Sequence, residues 1–152
     1  MRSFLTVTND FTQEKCISEF SEICVEQRND KHLAKIISYI ESDSDPIFWK
    51  FDNNDEIDIF ISKFKLKFKI DKISKMLIFQ NNDIDQIVIP RSKVPYYLKI
   101  THDQSGHFGL DRVTHFLKQA WWPGKFKDIQ NYIQSCNFCM RRKVTCSVML
   151  YR

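Results

Sequence analysis

Two closely spaced pairs of metal-binding side chains constrain this chain more than any other feature. His102 and His107 enclose four residues, Cys136 and Cys139 enclose two, and 28 residues lie between the pairs. Zn²⁺ accepts two neutral imidazoles and two thiolates in a tetrahedron, and pairs this close can each chelate one ion. The spacing therefore predicts a candidate zinc site in which the histidines come first.

The sequence around these pairs resembles a known family. It reads GHFG at 106–109, WWPG at 121–124, CNFC at 136–139 and RRK at 141–143. This succession resembles the zinc-binding amino-terminal domain of retroviral and retrotransposon integrases, with Gypsy-like elements as the best match. The resemblance implies one structural zinc ion that locks a three-helix, helix-turn-helix-like bundle. It also implies the ligands, which are His102, His107, Cys136 and Cys139.

Apolar spacing predicts the helices of this region from the residues alone. The first helix is expected over 94–104, where Pro95 suits the first turn. Its apolar face consists of Val94, Tyr97, Leu98 and Thr101.

Two further helices are predicted between the ligand pairs. One covers Leu110–Trp121, with Gly109 leading in and Trp121 in the core, and WWPG then makes the turn. Pro123 begins the other, whose buried stripe is Phe126, Ile129 and Ile133. Because a unit of roughly 50 residues has little core, metal binding is expected to supply most of its folding energy, on the order of 10 kcal/mol.

The whole chain is predicted to be mainly α, and α+β overall. We expect a helical segment at 1–41, an acidic linker at 42–60, a strand and hairpin region at 61–90, the zinc-binding domain at 91–143 and a tail at 144–152. An apolar stripe from Phe11 to Gln27 ends at an Asn29-Asp30 break, where a cap is expected. A second stripe follows with Leu33, Ile36, Ile37 and Ile40.

The middle of the chain contains an acidic stretch, then a stretch in which lysines alternate with apolar residues, and then two apolar runs. Seven acidic residues against one lysine at 41–58 predict a solvated loop. At 63–70 lysines alternate with Phe64, Leu66, Phe68 and Ile70, and this period of two predicts a strand. The lysine side chains could bind the phosphates of a nucleic acid, or they could protect an edge of the sheet from aggregation. The pattern favours protection of the edge. Two apolar runs around 81–83 predict a hairpin that ends at Pro90.

Charge is distributed unevenly along the chain. Residues 90–152 hold 11 Lys and Arg against 3 Asp and Glu, whereas residues 1–89 hold 12 against 16. The excess favours a polyanionic partner, and we expect weak, largely non-specific DNA binding. The candidate contacts are Arg112, Lys118, Lys125, Lys127, Arg141, Arg142 and Lys143.

A second function fits the same region. Integrase domains of this kind also promote multimerisation, so the resemblance equally implies a protein-interaction module without DNA binding. Exposure of Phe108 and Trp122 would favour that alternative, because uncovered aromatic side chains mark contact surfaces.

No catalytic constellation is recognisable. Integrases join DNA with a separate domain in which three carboxylates hold two metal ions, whereas this chain reads VTCSVMLYR after RRK. We therefore expect no enzyme activity, no small-molecule substrate, and a chain that is a fragment or remnant of a retrotransposon polyprotein or a gene descended from one. The other three cysteines, Cys16, Cys24 and Cys146, cannot pair evenly, which favours a reducing intracellular compartment, nuclear or cytoplasmic. No signal peptide or membrane span is expected.

Overall fold

A computed structural model of the chain describes residues 21–141. These residues form a mainly helical α+β fold, as the sequence predicts. They divide into two compact units: the first contains 21–94 and Lys118–Pro123, and the second contains Pro95–Leu117 and 124–141. The segment between two helices of the second unit thus belongs to the first unit. The segment boundaries proposed from the sequence remain a prediction.

The first unit combines helices with a four-stranded sheet. Residues 21–29 are helical, and the strand order is β1-β2-β3-β4. The sheet is antiparallel except that β4 joins β3 in parallel. In chain order the further elements are helix α1 (Lys31–Glu41), a 3₁₀ turn (Pro46–Phe48), helix α2 (Glu56–Ser62), a 3₁₀ turn (Lys65–Lys67), β1 (Phe68–Ile70), β2 (Leu77–Asn81), β3 (Ile84–Val88), a 3₁₀ turn (Arg91–Lys93) and β4 (Ala120–Trp121).

Local sequence explains helix α1 and the hairpin. Asp30 caps α1 by accepting hydrogen bonds from the amides of His32 and Leu33, as the predicted break requires. Leu33 and its neighbours on the predicted stripe, Ile36 and Ile37, are buried. The predicted hairpin is confirmed as β2 and β3, joined through Asn82 at φ +54°, a conformation that asparagine tolerates. The part of the earlier stripe from Phe11 to Phe20 lies outside the described residues.

One hydrophobic cluster of the first unit packs helices α1 and α2 against the sheet. Phe79 of β2 stacks on Trp121 of β4, with ring centroids 4.2 Å apart and planes 4° apart. Phe68 of β1 meets both rings edge-on at 5.3 Å. Gln86 donates to the carbonyl of Lys118 at 2.7 Å, which ties the 118–123 segment to β3. Trp121 is therefore a core residue, as expected, but in a strand and not in a helix.

The acidic stretch at 41–58, predicted to be a solvated loop, contains a 3₁₀ turn at Pro46–Phe48 and is helical from Glu56 onward. Asp45 caps the 3₁₀ turn at Pro46–Phe48, and Asp55 caps α2 by accepting from the amides of Ile57 and Asp58. Asp58 itself is only 2% exposed. Because carboxylates accept amide hydrogen bonds well at helix starts, this acidic stretch begins helices.

The predicted strand at 63–70 is wrong for most of its length. Only Phe68–Ile70 forms a strand, whereas Lys65–Lys67 forms a 3₁₀ turn. The antiparallel pairing with β2 covers Phe68–Ile70 alone. An alternating sequence forms a strand only where a neighbouring strand is paired with it, because the backbone amides and carbonyls need hydrogen-bond partners there.

A buried ionic network joins α1 to α2. Asp58 lies 2.7 Å from the Nδ1 of His32, and its other oxygen accepts from Lys35 and from the amide of Asp52 at 2.9 Å. Burial alone would raise the pKa of Asp58, but the hydrogen bonds from Lys35, Asp52 and His32 outweigh it and lower the pKa to about 2. The ionised form of Asp58 is thus the one that stabilises the fold.

We expect Asp58→Asn to lower the free energy of unfolding by about 1–3 kcal/mol at neutral pH, since an amide cannot accept from all these donors. Because the folded pKa lies below the ordinary value of 3.8, this stabilisation is present above pH 4 and is lost as the pH falls toward 2. Urea unfolding of both proteins across that range checks this. A difference that stays constant or grows as the pH falls contradicts it.

The three predicted helices lie in the second unit from Pro95 onward, with altered limits. They are α3 (Val94–Leu98) continued by a π-helical turn (Lys99–Asp103), then α4 (Leu110–Phe116), then α5 (Lys125–Gln134), and residues 137–141 are also helical. The predicted second helix ends early because Ala120 and Trp121 pair with β3. The amides of Ile87 and Ile89 donate to the carbonyls of Gln119 and Trp121. The third begins at Lys125 and not at Pro123, after Gly124 at φ +77°.

One aromatic side chain is more exposed than predicted. Phe126, which was predicted to be buried with Ile129, is 59% exposed, whereas Ile129 is fully buried. Phe126 lies in the first turn of α5. Trp122, which the sequence left open, is 1% exposed.

Candidate metal centre

The four predicted ligands meet in the second unit. The ligand atoms of His102, His107, Cys136 and Cys139 all lie within 4.8 Å of one another. The Sγ of Cys136 is 3.2 Å from the Nδ1 of His107, and the Sγ of Cys139 is 3.2 Å from the Nε2 of His102 and 3.8 Å from the Nδ1 of His107. Around tetrahedral zinc, neighbouring nitrogen and sulfur ligands are roughly 3.6 Å apart. The donor set and its spacing therefore fit one zinc ion.

His102 is fixed by a backbone carbonyl. It lies in the π-helical turn and is fully buried. Its Nδ1 lies 2.8 Å from the carbonyl oxygen of Phe108, which must accept a hydrogen bond from it. The Nε2 lone pair is then free to face Cys139. Metal-bound histidines are commonly oriented in this way by a partner on their other ring nitrogen.

His107 reaches the site through a tight chain reversal. Gly106 and His107 both have positive φ, +105° and +57°, and the amide of His107 donates to the carbonyl of His102 at 2.7 Å. Only glycine adopts such a φ readily, so Gly106 is needed for the turn. The imidazole of His107 packs 4.3 Å from the ring of Phe138. The short spacing between the histidines is thus built into one turn.

The cysteines lie where α5 ends and the next helical turn begins. The amide of Cys136 donates to the carbonyl of Ile133, and the carbonyl of Cys136 accepts from Met140 at 2.9 Å. Cys139 follows within the helical residues 137–141. Side chains three residues apart share a helical face, which directs both thiols to the histidines.

Tyr132 supports the site, and the sequence interpretation missed it. Its hydroxyl donates to Asp103 at 2.8 Å, and its ring lies 5.8 Å from His102 at 88°. Burial and the bond to Asp103 raise the pKa of Tyr132 to about 12, so it keeps its proton. The available signal was its position four residues, about one helical turn, before Cys136.

The predicted nucleic-acid contacts have different surroundings. Arg112, Lys127 and Arg141 are exposed in the second unit, and Lys118 is exposed in the first. The guanidinium of Arg112 lies over the ring of Phe108, 4.8 Å from its centroid. Arg142 and Lys143 lie outside the described residues.

Lys125 has different surroundings from the other predicted contacts. Burial lowers its pKa to about 8, and its Nζ donates to the carbonyl of Leu117 at 2.6 Å, just past the end of α4. This ammonium group caps a helix instead of projecting toward a phosphate.

A closed two-histidine, two-cysteine centre on a small helical unit defines the class of structural zinc domains. Residues 89–145 match the family model of the integrase zinc binding domain. This segment is thus an integrase-type zinc-binding domain, and the resemblance seen in the sequence is confirmed.

The chain is also similar to an uncharacterized protein of Caenorhabditis elegans, K02A2.6, with 24% identity over 120 residues. The aligned part covers 78% of this chain but only 8% of that protein. No solved structure gives a significant match. Within residues 21–141, no helix has both the length and the apolar character needed to cross a membrane.

Proposed function

We propose that this chain carries a non-catalytic, zinc-stabilised nucleic-acid-binding module derived from a retrotransposon integrase. One zinc ion is held by His102, His107, Cys136 and Cys139. The observation that carries the proposal is the convergence of these four ligand atoms within 4.8 Å.

The ion has a structural role in this proposal. Four protein ligands complete a tetrahedron, so a water molecule or a substrate could reach the metal only by displacing one of them. The ligands come from the π-helical turn, the turn at His107 and the residues that follow α5. The ion would hold these segments together. Binding of DNA then depends on the metal through folding.

Exposed cations of the second unit are the proposed phosphate contacts. Arg112 and Lys127 are exposed, and Arg112 is held over Phe108, whose carbonyl positions His102. The zinc centre therefore also orders the segment that positions Arg112. Since a few surface cations recognise phosphates and not bases, the binding should be weak and largely independent of sequence.

We expect the double variant Arg112→Ala, Lys127→Ala to weaken binding to a short DNA duplex. Each lost phosphate contact lowers the log–log slope of affinity against salt by about 0.9, so the slope should fall by about 1.8. Fluorescence anisotropy across a salt series measures it, with zinc content unchanged. The matched control removes two exposed lysines of the first unit, Lys50→Ala and Lys72→Ala. If the salt slope of the affinity is the same in the two double variants, Arg112 and Lys127 do not contact the phosphates.

Self-association without DNA binding is the alternative, and one observation favours it. Phe126, Phe138 and Met140 of the second unit are 59%, 50% and 51% exposed. Trp122 is buried and Phe108 lies under Arg112, so neither offers the uncovered ring that the sequence suggested. A dimer in sedimentation that Phe126→Ser dissociates, in a chain that binds no DNA at low salt, would establish this alternative.

A further inference from the structure

The turn after α2 carries an uncompensated positive surface in the first unit. Lys63 and Lys67 are exposed and Lys65 is half-buried. Among the described residues no carboxylate pairs with any of these three lysines. Lys69, two residues further on, does pair with Asp85 at 3.0 Å. The charge of Lys69, in the sheet, is therefore balanced by a carboxylate. The charges of Lys63, Lys65 and Lys67, in and beside the turn, are not balanced by any carboxylate of the described residues.

Apolar side chains lie among these lysines. Leu66 is 79% exposed and Phe60 36%, while Phe64 is half-buried. The rings of Phe60 and Phe64 are 5.3 Å apart. We call Phe60, Lys63, Phe64, Lys65, Leu66 and Lys67 the lysine–aromatic patch.

The aromatic part of the patch rests on the rigid core. Phe64 meets the buried Phe79 edge-on at 5.9 Å, and Phe60 lies 6.4 Å from Trp121. The Nζ of Lys67 is 5.8 Å from the ring centroids of both Phe64 and Phe79. One cation is thus held beside ring faces that are already immobilised, so a ligand would bind them at a small cost in side-chain entropy.

We propose that the lysine–aromatic patch binds single-stranded nucleic acid. The ammonium groups of Lys63, Lys65 and Lys67 contact successive phosphates, and Phe60 and Phe64 contact unpaired bases. Positive grooves with aromatic side chains bind single strands because every base has a face that can stack. A duplex hides those faces, so the patch favours the single strand. This site lies in the first unit and is additional to the duplex contacts proposed for the second.

The test uses the full zinc-loaded chain and a labelled oligothymidine of about 16 nucleotides, a length that fills a typical single-strand site. Lys63→Ala with Lys65→Ala should lower its affinity about tenfold and reduce the salt slope by about 1.4, at 0.7 per phosphate of a single strand. The control with Lys50→Ala and Lys72→Ala removes the same charge elsewhere and should change neither. Equal effects in the two double variants would overturn the proposal.

Phe60→Leu separates base contact from charge. It keeps an apolar side chain on α2 but removes the ring, so affinity for the oligonucleotide should fall at least about fivefold with an unchanged salt slope. An affinity equal to that of the wild type, at an unchanged melting temperature, would overturn the base contact.

An anionic membrane surface is the other polyanion that exposed lysines and apolar side chains could bind. Vesicles of phosphatidylcholine and phosphatidylserine test this alternative. If Lys63→Ala with Lys65→Ala abolishes vesicle binding and leaves oligonucleotide binding intact, the patch is a membrane contact and the proposal is wrong. Failure of the duplex prediction for Arg112 and Lys127 would leave this test unaffected, because those side chains belong to the other unit.

Discussion

Cys139→Ala is expected to release the zinc ion and to unfold the second unit. Removing one of four ligands forfeits much of a binding free energy on the order of 10 kcal/mol, which is comparable to the whole stability of a small domain. Circular dichroism should show loss of the helices at Val94–Leu98, Leu110–Phe116 and Lys125–Gln134.

Cys24→Ala is the matched control, because Cys24 is a half-buried free cysteine of the first unit. It should keep its zinc and its helix content. If Cys139→Ala lacks metal yet retains the helix content and melting curve of the wild type, the zinc ion is not what holds the second unit together.

Gln27→Ala is expected to give the second large effect, in the first unit. Gln27 is fully buried, and its side chain accepts from the amide of Leu77 at 2.8 Å and donates to the carbonyls of Leu77 and Val88 at 3.1 Å and 2.6 Å. It therefore bridges β2 and β3 just beyond their last paired residues, Ile78 and Ile87.

Alanine would leave three buried backbone groups without partners, at about 1–3 kcal/mol each. We therefore expect the free energy of unfolding to fall by at least about 3 kcal/mol in urea denaturation. Gln80→Ala, at an exposed position of β2, should change it by less than about 0.5 kcal/mol. A loss in Gln27→Ala no larger than in Gln80→Ala would show that the bridge does not stabilise the sheet.

The metal centre was predictable because its information is local. A loop between His102 and His107 and one helical turn between Cys136 and Cys139 bring each pair together whatever the rest of the chain does. The helices between the pairs were predictable from their apolar stripes. The contact of Tyr132 with Asp103 beside the metal centre was not predictable, because it depends on how α5 packs against the π-helical turn.

The errors arose where distant strands decide the structure. Ala120 and Trp121 fit the apolar spacing of the preceding helix, yet they form strand β4 because they pair in parallel with β3. Gln27 sits in an apolar stripe, and its partners are about fifty residues further along the chain. At Lys63 and Lys65 the alternating pattern was present, but the helix begun by Asp55 and the short reach of β2 left no partner strand there.

Zinc content per chain, measured by native mass spectrometry, tests the central claim most directly. We expect one zinc ion in the wild type and in Cys24→Ala. We expect none in variants in which His102, His107, Cys136 or Cys139 is replaced by alanine. A wild-type chain without zinc, or a ligand variant that keeps its ion through chelator treatment as the wild type does, would contradict these expectations.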